Sequence, residues 1–455
     1  PMEPDNNSQF IYTSSELKMI AQKMLDLAHE AGAMQASVDV TEDYGLSTQV
    51  RLGQLETSEN NREKSASITI YNSGRKGFAE TSNFESDALR QTVLKARDIA
   101  KFTRPDKFSG LPNKEDLEFH PRDDLELYFP WNIGIRDATD IARRCEASAL
   151  ATDKHIKNSE GAAVTVHHSN FFSVNSLGFE GGYQQSRHTV SVAPIATRNG
   201  EMERDYWYSS DRNFNNLATP EDVGCYAARR ALARLGSRRI STRKSPVLFD
   251  APIAASLLGS FVQAISGASL YKNLTFLDKS LDTRIFPESI CIEENPFLIG
   301  EMGSAPFDDE GVKVRPRLVV ENGVIKGYFL SSYSAKRLNM HTTGNAGGSH
   351  NLRMFDNNSH AENNLSKMFK LMGNGLFVTE LMGQGVNIIT GDYSRGVSGF
   401  WIQNGQISFP VYEITVAGNL KEMFQKIVSI GTDEYRRGSK TTGSVLIETM
   451  TIGGS

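Results

Sequence analysis

A glycine-rich segment near the C-terminus, residues 379–401, restricts what this chain can fold into more than any other feature. It reads TELMGQGVNIITGDYSRGVSGFW, and its five glycines interrupt β-branched and aromatic residues. Glycine within a strand usually marks a bulge or a place where another backbone comes close. Asp392, Tyr393 and Arg395 fall between the apolar stretches. We therefore predict a β-rich segment with close backbone contacts, in which a loop presents these three side chains together.

The length and composition narrow the class of protein. At 455 residues the chain exceeds the size at which a single core usually stops growing, so we expect two domains. Its net charge of −5 argues against a dedicated nucleic-acid binder. Cys145, Cys225 and Cys291 form no CxxC pair, which fits a reducing compartment. Since no basic stretch followed by an apolar one opens the sequence, we predict no secretory signal. The most apolar window, 253–270, is interrupted by polar residues, so we also predict no membrane span and a cytoplasmic location.

The first 240 residues repeat one order of patterns. Helical periodicity, then strand-like alternation, then helical periodicity occur twice, which predicts two α-β-α units in one α+β domain. Ser82 and Glu85 have capping-box spacing before the second helix, and Thr219 precedes Pro220 as the expected N-cap of the fourth. Ser14 and Ser15 are the candidate N-caps of the first predicted helix, which ends before Gly32. The other predicted helices are 86–102, 137–152 and 220–235, and the predicted strands lie in 37–55, 65–81 and 161–208.

Beyond residue 240 the pattern becomes mostly strand-like. One long helix is predicted at 251–265, and two short helical pieces are predicted near 334–338 and 365–372. The Asn-Gly pairs at 322–323 and 404–405 are strong hairpin signals, because type I′ turns need positive φ at both central positions. The predicted fold class is therefore α+β, with an N-terminal α+β domain (1–240) and a mostly β C-terminal domain with one long helix (241–455).

Two further motifs suggest a family. The chain contains GNAGGSH at 344–350 and PFDDEG at 306–311. Together with the glycine-rich segment, they resemble the TldD/PmbA family of cytoplasmic zinc metalloproteases, and within it the PmbA (TldE) branch. The resemblance runs from about residue 15 to the C-terminus.

The resemblance implies that this chain lacks the family's zinc site. The helix after Asp250 carries HExxxH in the TldD branch, where two histidines bind zinc and the glutamate acts as general base. Aligning LLGSFVQA of this chain with that motif places Gly259 and Ala264 at the histidine positions and Ser260 at the glutamate. The third ligand of TldD is a cysteine near the C-terminus, and here no cysteine follows Cys291. We therefore predict no metal ligand and no catalytic residue in this chain.

The resemblance also implies partners. A TldD-like catalytic subunit is expected to hold the zinc in a heterodimer that cleaves unfolded or leader peptides, while this chain encloses the substrate. In isolation we expect a homodimer. His350, Asp392, Tyr393 and Arg395 are the possible contacts for a peptide or the partner. Structural roles are the alternatives, with His350 forming a turn and an Asp392–Arg395 ion pair shaping the glycine-rich segment.

Other functions stay open on the sequence alone. One alternative is a homodimeric peptide-binding or regulatory protein, and another is a peptidase with an unrecognised site that uses His350 and the acidic loop 306–311. That acidic run is more often a solvated turn. His167 and His168 are adjacent in a predicted strand, so their side chains should point to opposite faces and not share a metal.

Overall fold

A computed structural model of the protein describes residues 9–454, so part of the N-terminal stretch on which the secretory-signal prediction rests lies outside it. The fold is α+β, as predicted, and the chain forms two compact units. The first unit extends to residue 232 and also includes residues 299–302 and 306–313. The second unit contains the remainder. Within residues 9–454, no helix has the length and apolar character needed to cross a membrane.

The first unit is built on one seven-stranded sheet. Its strands are β1 (Gln35–Arg51), β2 (Gln54–Asn72), β3 (Arg75–Thr81), β4 (Ile156–Asn175), β5 (Glu180–Arg198), β6 (Glu201–Arg204) and β7 (Trp207–Asp211). Its helices are α1 (Ser14–Glu30), α2 (Ser86–Phe102), α3 (Ile135–Ala151) and α4 (Pro220–Ala233). The strand order is β3-β2-β1-β4-β5-β6, and β7 pairs with β5.

This order confirms the two predicted α-β-α units. The strands between α1 and α2 form one half of the sheet and those between α3 and α4 form the other. The halves join where β1 pairs antiparallel with β4, for example at Tyr44 and His168. Alternate residues of β1 are buried, because one face of the sheet is covered and successive side chains point to opposite faces.

Three local details differ from the prediction. The N-cap of α1 is Thr13 and not Ser14 or Ser15, and its side chain forms a capping box with Glu16. The capping box predicted at Ser82 and Glu85 is wrong, because Glu85 is the N-cap of α2 and caps it with no side-chain hydrogen bond. Strand β2 also begins at residue 54, although residues 54–64 carry no apolar alternation and are exposed on both faces.

The second unit contains two six-stranded sheets. The first has the order β11-β10-β9-β12-β18-β17 and the second has β15-β14-β13-β8-β19-β16. The strands are β8 (Arg243–Phe249), β9 (Ile290–Asn295), β10 (Arg317–Glu321), β11 (Val324–Ile325), β12 (Asn351–Asp356), β13 (Gly375–Met382), β14 (Asp392–Gln403), β15 (Gln406–Asn419), β16 (Ile427–Ile430), β17 (Tyr435–Arg437), β18 (Lys440–Thr442) and β19 (Val445–Gly453). The helices are α5 (Ala251–Ala264), α6 (Gly267–Tyr271), α7 (Ser332–Arg337), α8 (Leu365–Met372) and α9 (Leu420–Gln425).

Helix α5 contributes to a core shared with both sheets of this unit. It packs against β13 of one sheet and against β17 and β18 of the other. The shared core includes Leu257 and Phe261 of α5, Ile292 and Leu352 of the first sheet, and Val247 and Val378 of the second. The burial of these side chains explains why the sequence of α5 is so apolar.

Both predicted hairpin turns are present. Asn322 and Gly323 have φ of 49° and 79°, and Asn404 and Gly405 have φ of 52° and 74°. These values are those of type I′ turns, which match the twist of the strands that they connect. The turns join β10 to β11 and β14 to β15.

Candidate functional site

The helix at the expected zinc position is regular and well capped. Asp250 is the N-cap of α5, and its side chain accepts a hydrogen bond from the Ala251 N–H at 2.9 Å. The helix is α-helical without interruption to Ala264. Leu257, Leu258 and Phe261 are almost fully buried. The helix therefore keeps its structural role through its apolar face.

The two positions aligned with the zinc-binding histidines face different surroundings. A Cβ added at Gly259 would lie 3.8 Å from the Cε of Lys440, on strand β18. Ala264 has no exposed surface and belongs to the apolar core. Five residues of a regular helix separate the positions by about 140° around its axis. Side chains at 259 and 264 would therefore converge on one ion only if the helix were bent or bulged locally.

The residues present do not fit a zinc ion of the HExxxH type. Gly259, Ser260 and Ala264 offer no imidazole or carboxylate, and zinc in proteins is bound by cysteine, histidine and acidic side chains. The side chain of Lys440 beside Gly259 carries positive charge, which repels a divalent cation. Within residues 9–454, no group of three His, Cys, Asp or Glu side chains is placed to hold a metal.

His350 lies in a buried network. Only 7% of the residue is exposed. Its N–H donates to Glu294 Oε2 at 2.9 Å, and its ring Nε2 lies 2.9 Å from the carbonyl oxygen of Gly344. The contact with Gly344 closes the loop 344–350 on itself, and the contact with Glu294 attaches the loop to β9. These contacts favour the turn-forming role of His350, and its contact with a peptide or partner stays a prediction.

Glu294 organises this network, and the sequence analysis did not identify it. Its other oxygen accepts from Arg317 Nε at 2.8 Å, and Asn345 Nδ2 donates to Oε2 at 2.9 Å. Arg317 also donates to the carbonyl of Tyr328 at 2.8 Å. The sequence EEN at 293–295 does not distinguish the two acids. Glu293 is partly exposed, whereas Glu294 beside it is buried.

The glycine-rich segment places its polar residues in a strand, so the prediction of a loop that presents them together is wrong. Asp392, Tyr393 and Arg395 all belong to β14. Tyr393 is only 2% exposed, packs edge-on against Phe249 with ring centroids 6.4 Å apart, and has its pKa raised to about 12 by burial. Asp392 is exposed. Because side chains alternate along a strand, Tyr393 faces the core while Asp392 does not.

The predicted ion pair between Asp392 and Arg395 is not formed. Residues three apart in a strand point to opposite faces. Arg395 Nη2 instead donates to the carbonyl oxygen of Gly383 at 2.8 Å, and Asn419 Nδ2 lies 3.5 Å from Asp392 Oδ1. Arg395 therefore fixes the loop that follows β13.

Close backbone approach in this segment agrees with its glycine content. The Ser394 N–H donates to the carbonyl oxygen of Gly385 at 2.8 Å. A Cβ at Gly385 would lie only 1.7 Å from the carbonyl oxygen of Ser394, so no other residue fits without moving the backbone.

The acidic loop 306–311 belongs to the first unit, whereas His350 belongs to the second. Asp308 is 3% exposed, and its carboxylate accepts from the N–H groups of Glu310 at 3.0 Å and Val312 at 2.9 Å. Such side-chain to backbone bonds form a turn around the acid. Asp308 thus shapes the loop.

The adjacent histidines of β4 point to opposite faces, as predicted. The side chain of His167 is 54% exposed, whereas His168 is 1% exposed. His168 Nε2 accepts from the Trp131 N–H at 3.0 Å, and burial lowers its pKa to about 3. His168 is therefore a neutral, buried histidine near neutral pH.

The sequence matches three domain models of one enzyme family. These are PmbA/TldA metallopeptidase domain 1 over residues 36–100, the central domain over 128–235 and the C-terminal domain over 242–454. The chain belongs to the PmbA/TldD metallopeptidase family.

Individual relatives define the branch within this family. The chain is 44% identical to metalloprotease PmbA of Escherichia coli O157:H7 over 92% of each chain. It is 39% identical to a PmbA homologue of Haemophilus influenzae over the full length of both. A crystal structure from Bacteroides thetaiotaomicron, described as that of a candidate modulator of DNA gyrase, has a TM-score of 0.90 at 25% identity, covering 96% of this chain and 99% of that one. The predicted placement in the PmbA (TldE) branch is confirmed.

Proposed function

We propose that this chain is the non-catalytic subunit of a two-chain zinc metalloprotease, paired with a TldD-like chain that holds the zinc. The observation that carries the proposal is the composition of α5 at positions 259, 260 and 264, where glycine, serine and a buried alanine stand. The neighbouring cationic side chain of Lys440 adds to this argument. The family membership supports the peptidase chemistry, and the residues at 259, 260 and 264 support the proposal that the other subunit carries it.

In this proposal the substrates are unfolded or leader peptides, and the chain helps to enclose them in the cytoplasm. An extended peptide can add to a β-sheet through backbone hydrogen bonds, which provide affinity without requiring a particular side chain. The extensive sheets of both units suit that kind of contact. We place no nucleic acid and no membrane among the partners.

Co-purification from the native host tests the proposal. An affinity-tagged chain, expressed at its native level, should recover a TldD-like chain in a 1:1 ratio, and the pair should contain about one zinc ion. The recovered pair should hydrolyse an unfolded peptide, and a chelator should abolish the hydrolysis. The chain purified alone should neither contain stoichiometric zinc nor hydrolyse the peptide.

A different result would overturn the proposal. Recovery of a homodimer without a TldD-like chain would favour a homodimeric peptide-binding or regulatory protein. Hydrolysis by the isolated chain, purified from a host that lacks the TldD-like gene, would favour a peptidase with its own site. A matched control is the same tagged chain from a host that lacks the TldD-like gene.

A further inference from the structure

Lys440 projects from the sheet toward helix α5. On β18 it pairs with Leu352 of β12 on one side and with Arg437 of β17 on the other. Directly paired residues share a face of the sheet. Leu352 is 1% exposed and lies in the core that includes α5, so Lys440 points to the same side. The 3.8 Å distance from its Cε to the Cβ position of Gly259 agrees with this direction.

The ammonium of Lys440 has no partner among the residues that the structure describes. It forms no hydrogen bond or ion pair with any residue between 9 and 454, and the side chain is partly buried. Burial lowers the pKa of this ammonium. A lysine at this depth is normally paired, because removing an ammonium from water without an anion is unfavourable.

Gly259 leaves space beside this charge. A histidine or another large residue at 259 would fill the volume next to the lysine stem, whereas glycine leaves it free. The ammonium of Lys440 thus lies beside free space on the side of the sheet that faces α5, where a small anionic group can approach it.

We propose that Lys440 anchors a carboxylate-binding site beside Gly259, and that the carboxylate belongs to a bound peptide. The choice of a peptide rests on the proposed function, whereas the anion site itself rests on Lys440, Gly259 and the pairing of β18. The ammonium donates a charge-assisted hydrogen bond to the carboxylate, which offsets its desolvation. The helix position that carries a zinc ligand in the TldD branch then borders a peptide-anchoring site in this chain.

Binding of short peptides to the isolated chain tests the proposal. The probes are a flexible Gly/Ser-rich peptide with a free C-terminal carboxylate, its C-terminal amide, and the amide carrying one internal glutamate. Calorimetry or fluorescence polarisation should show binding of at least one carboxylate-bearing probe. Lys440→Met should weaken that binding about tenfold or more, since hydrogen bonds to charged groups are the strong ones. Lys440→Arg should restore most of it.

The three probes separate the sources of the carboxylate. Binding of only the free-terminus peptide assigns the site to a peptide C-terminus, and binding of the glutamate peptide assigns it to an acidic side chain. Lys421→Met, at an exposed lysine on α9 of the same unit, is the matched control and should leave every affinity unchanged.

Two outcomes would overturn the proposal. One is an equal dissociation constant for wild type and Lys440→Met with every carboxylate-bearing probe, and the other is no binding of these probes by the wild type. Neither result would affect the test of the proposed function by co-purification with a TldD-like chain. Failure of co-purification, in turn, does not affect peptide binding by the isolated chain.

Discussion

Arg317 Nε donates to Glu294 Oε1 at 2.8 Å, with 12% of the arginine side chain and 1% of the glutamate side chain exposed. Through its second oxygen, Glu294 also accepts from the His350 N–H and from Asn345. One buried carboxylate therefore ties the GNAGGSH loop to β9 and β10. The motif that helped to identify the family is held by a residue outside it.

Removal of Glu294 should destabilise the second unit strongly. Glu294→Ala leaves the guanidinium of Arg317 buried without its counter-ion, and breaking such a pair from one side costs about 3–5 kcal/mol. Chemical denaturation should show this loss as a lower midpoint. Glu293→Ala is the control, because Glu293 is 44% exposed at 3.7 Å from Arg353 and such pairs contribute about 0–1 kcal/mol. Equal losses for the two variants would contradict this account.

Stability of the first unit should fall as the pH falls below about 6.5. Burial lowers the pKa of His168 from 6.5 to about 3, and burial also lowers the pKa of His188. Between these values the unfolded chain binds a proton that the folded chain excludes, so protonation favours unfolding. At about pH 4.5, two units below the ordinary value, His168 alone should reduce the free energy of unfolding by about 2–3 kcal/mol.

Two variants check the source of this pH dependence. His168→Gln should flatten the dependence of unfolding free energy on pH between 6.5 and 4.5, whatever its effect on stability at neutral pH. His167→Gln, at the exposed neighbour on the other face, should leave the slope close to that of the wild type. An unchanged slope in His168→Gln would rule out His168 as its source.

Gly385 should tolerate alanine much less than Gly396 does. A Cβ at 385 would lie 1.7 Å from the Ser394 carbonyl oxygen, so Gly385→Ala must displace backbone, and we expect a cost of about 2 kcal/mol or more. At 396 the nearest atom is 3.6 Å away, which is an ordinary contact. Gly396→Ala should be neutral or stabilise by up to about 1 kcal/mol, because a glycine within a strand is entropically costly. Thermal unfolding of both variants provides the measurement. A larger loss of stability in Gly396→Ala than in Gly385→Ala would contradict the assigned backbone contact.

Restoring the zinc motif should not restore an enzyme. Gly259→His, Ser260→Glu and Ala264→His together should give weak zinc binding and little or no peptidase activity, since no third ligand follows Cys291. The structure adds that histidine at 264 must enter a filled core, so the triple variant should also lose stability.

The double variant Gly259→His with Ser260→Glu is the control, because it omits the core substitution and should remain closer to wild-type stability. Zinc titration and peptide hydrolysis with and without chelator provide the measurements. Robust hydrolysis by the triple variant, lost on chelation, would show that a third ligand exists.

The purified chain alone should be a homodimer without stoichiometric zinc. Closed two-fold pairs are the commonest assemblies, and an enclosed proteolytic cavity needs a second chain. Light scattering should give about twice the chain mass of 50.3 kDa, and elemental analysis should find far less than one zinc per chain. A mass near that of one chain would contradict self-association, and one tightly bound zinc would contradict the assigned loss of the site.

The sequence by itself determined the features that depend on neighbouring residues. Helices 86–102 and 365–372 were predicted with their observed bounds, because periodicity and flanking residues are local signals. Both Asn-Gly turns were predicted, because positive φ is a property of those residue types. Glycine, serine and alanine at 259, 260 and 264 could also be identified, because these positions lie within one short helix.

Only the tertiary structure decided the contacts between distant segments. Strand pairing and burial place Lys440 beside Gly259, and Glu294 beside Arg317 and His350, although each group is far apart in the sequence. The local pattern placed Asp392, Tyr393 and Arg395 in one loop, but pairing of β14 with β13 and β15 made them alternate across a strand. Residues 54–64 form a strand only because β1 supplies their hydrogen-bond partners. Such positions depend on which distant strands pair with each other, and a local sequence pattern does not predict that pairing.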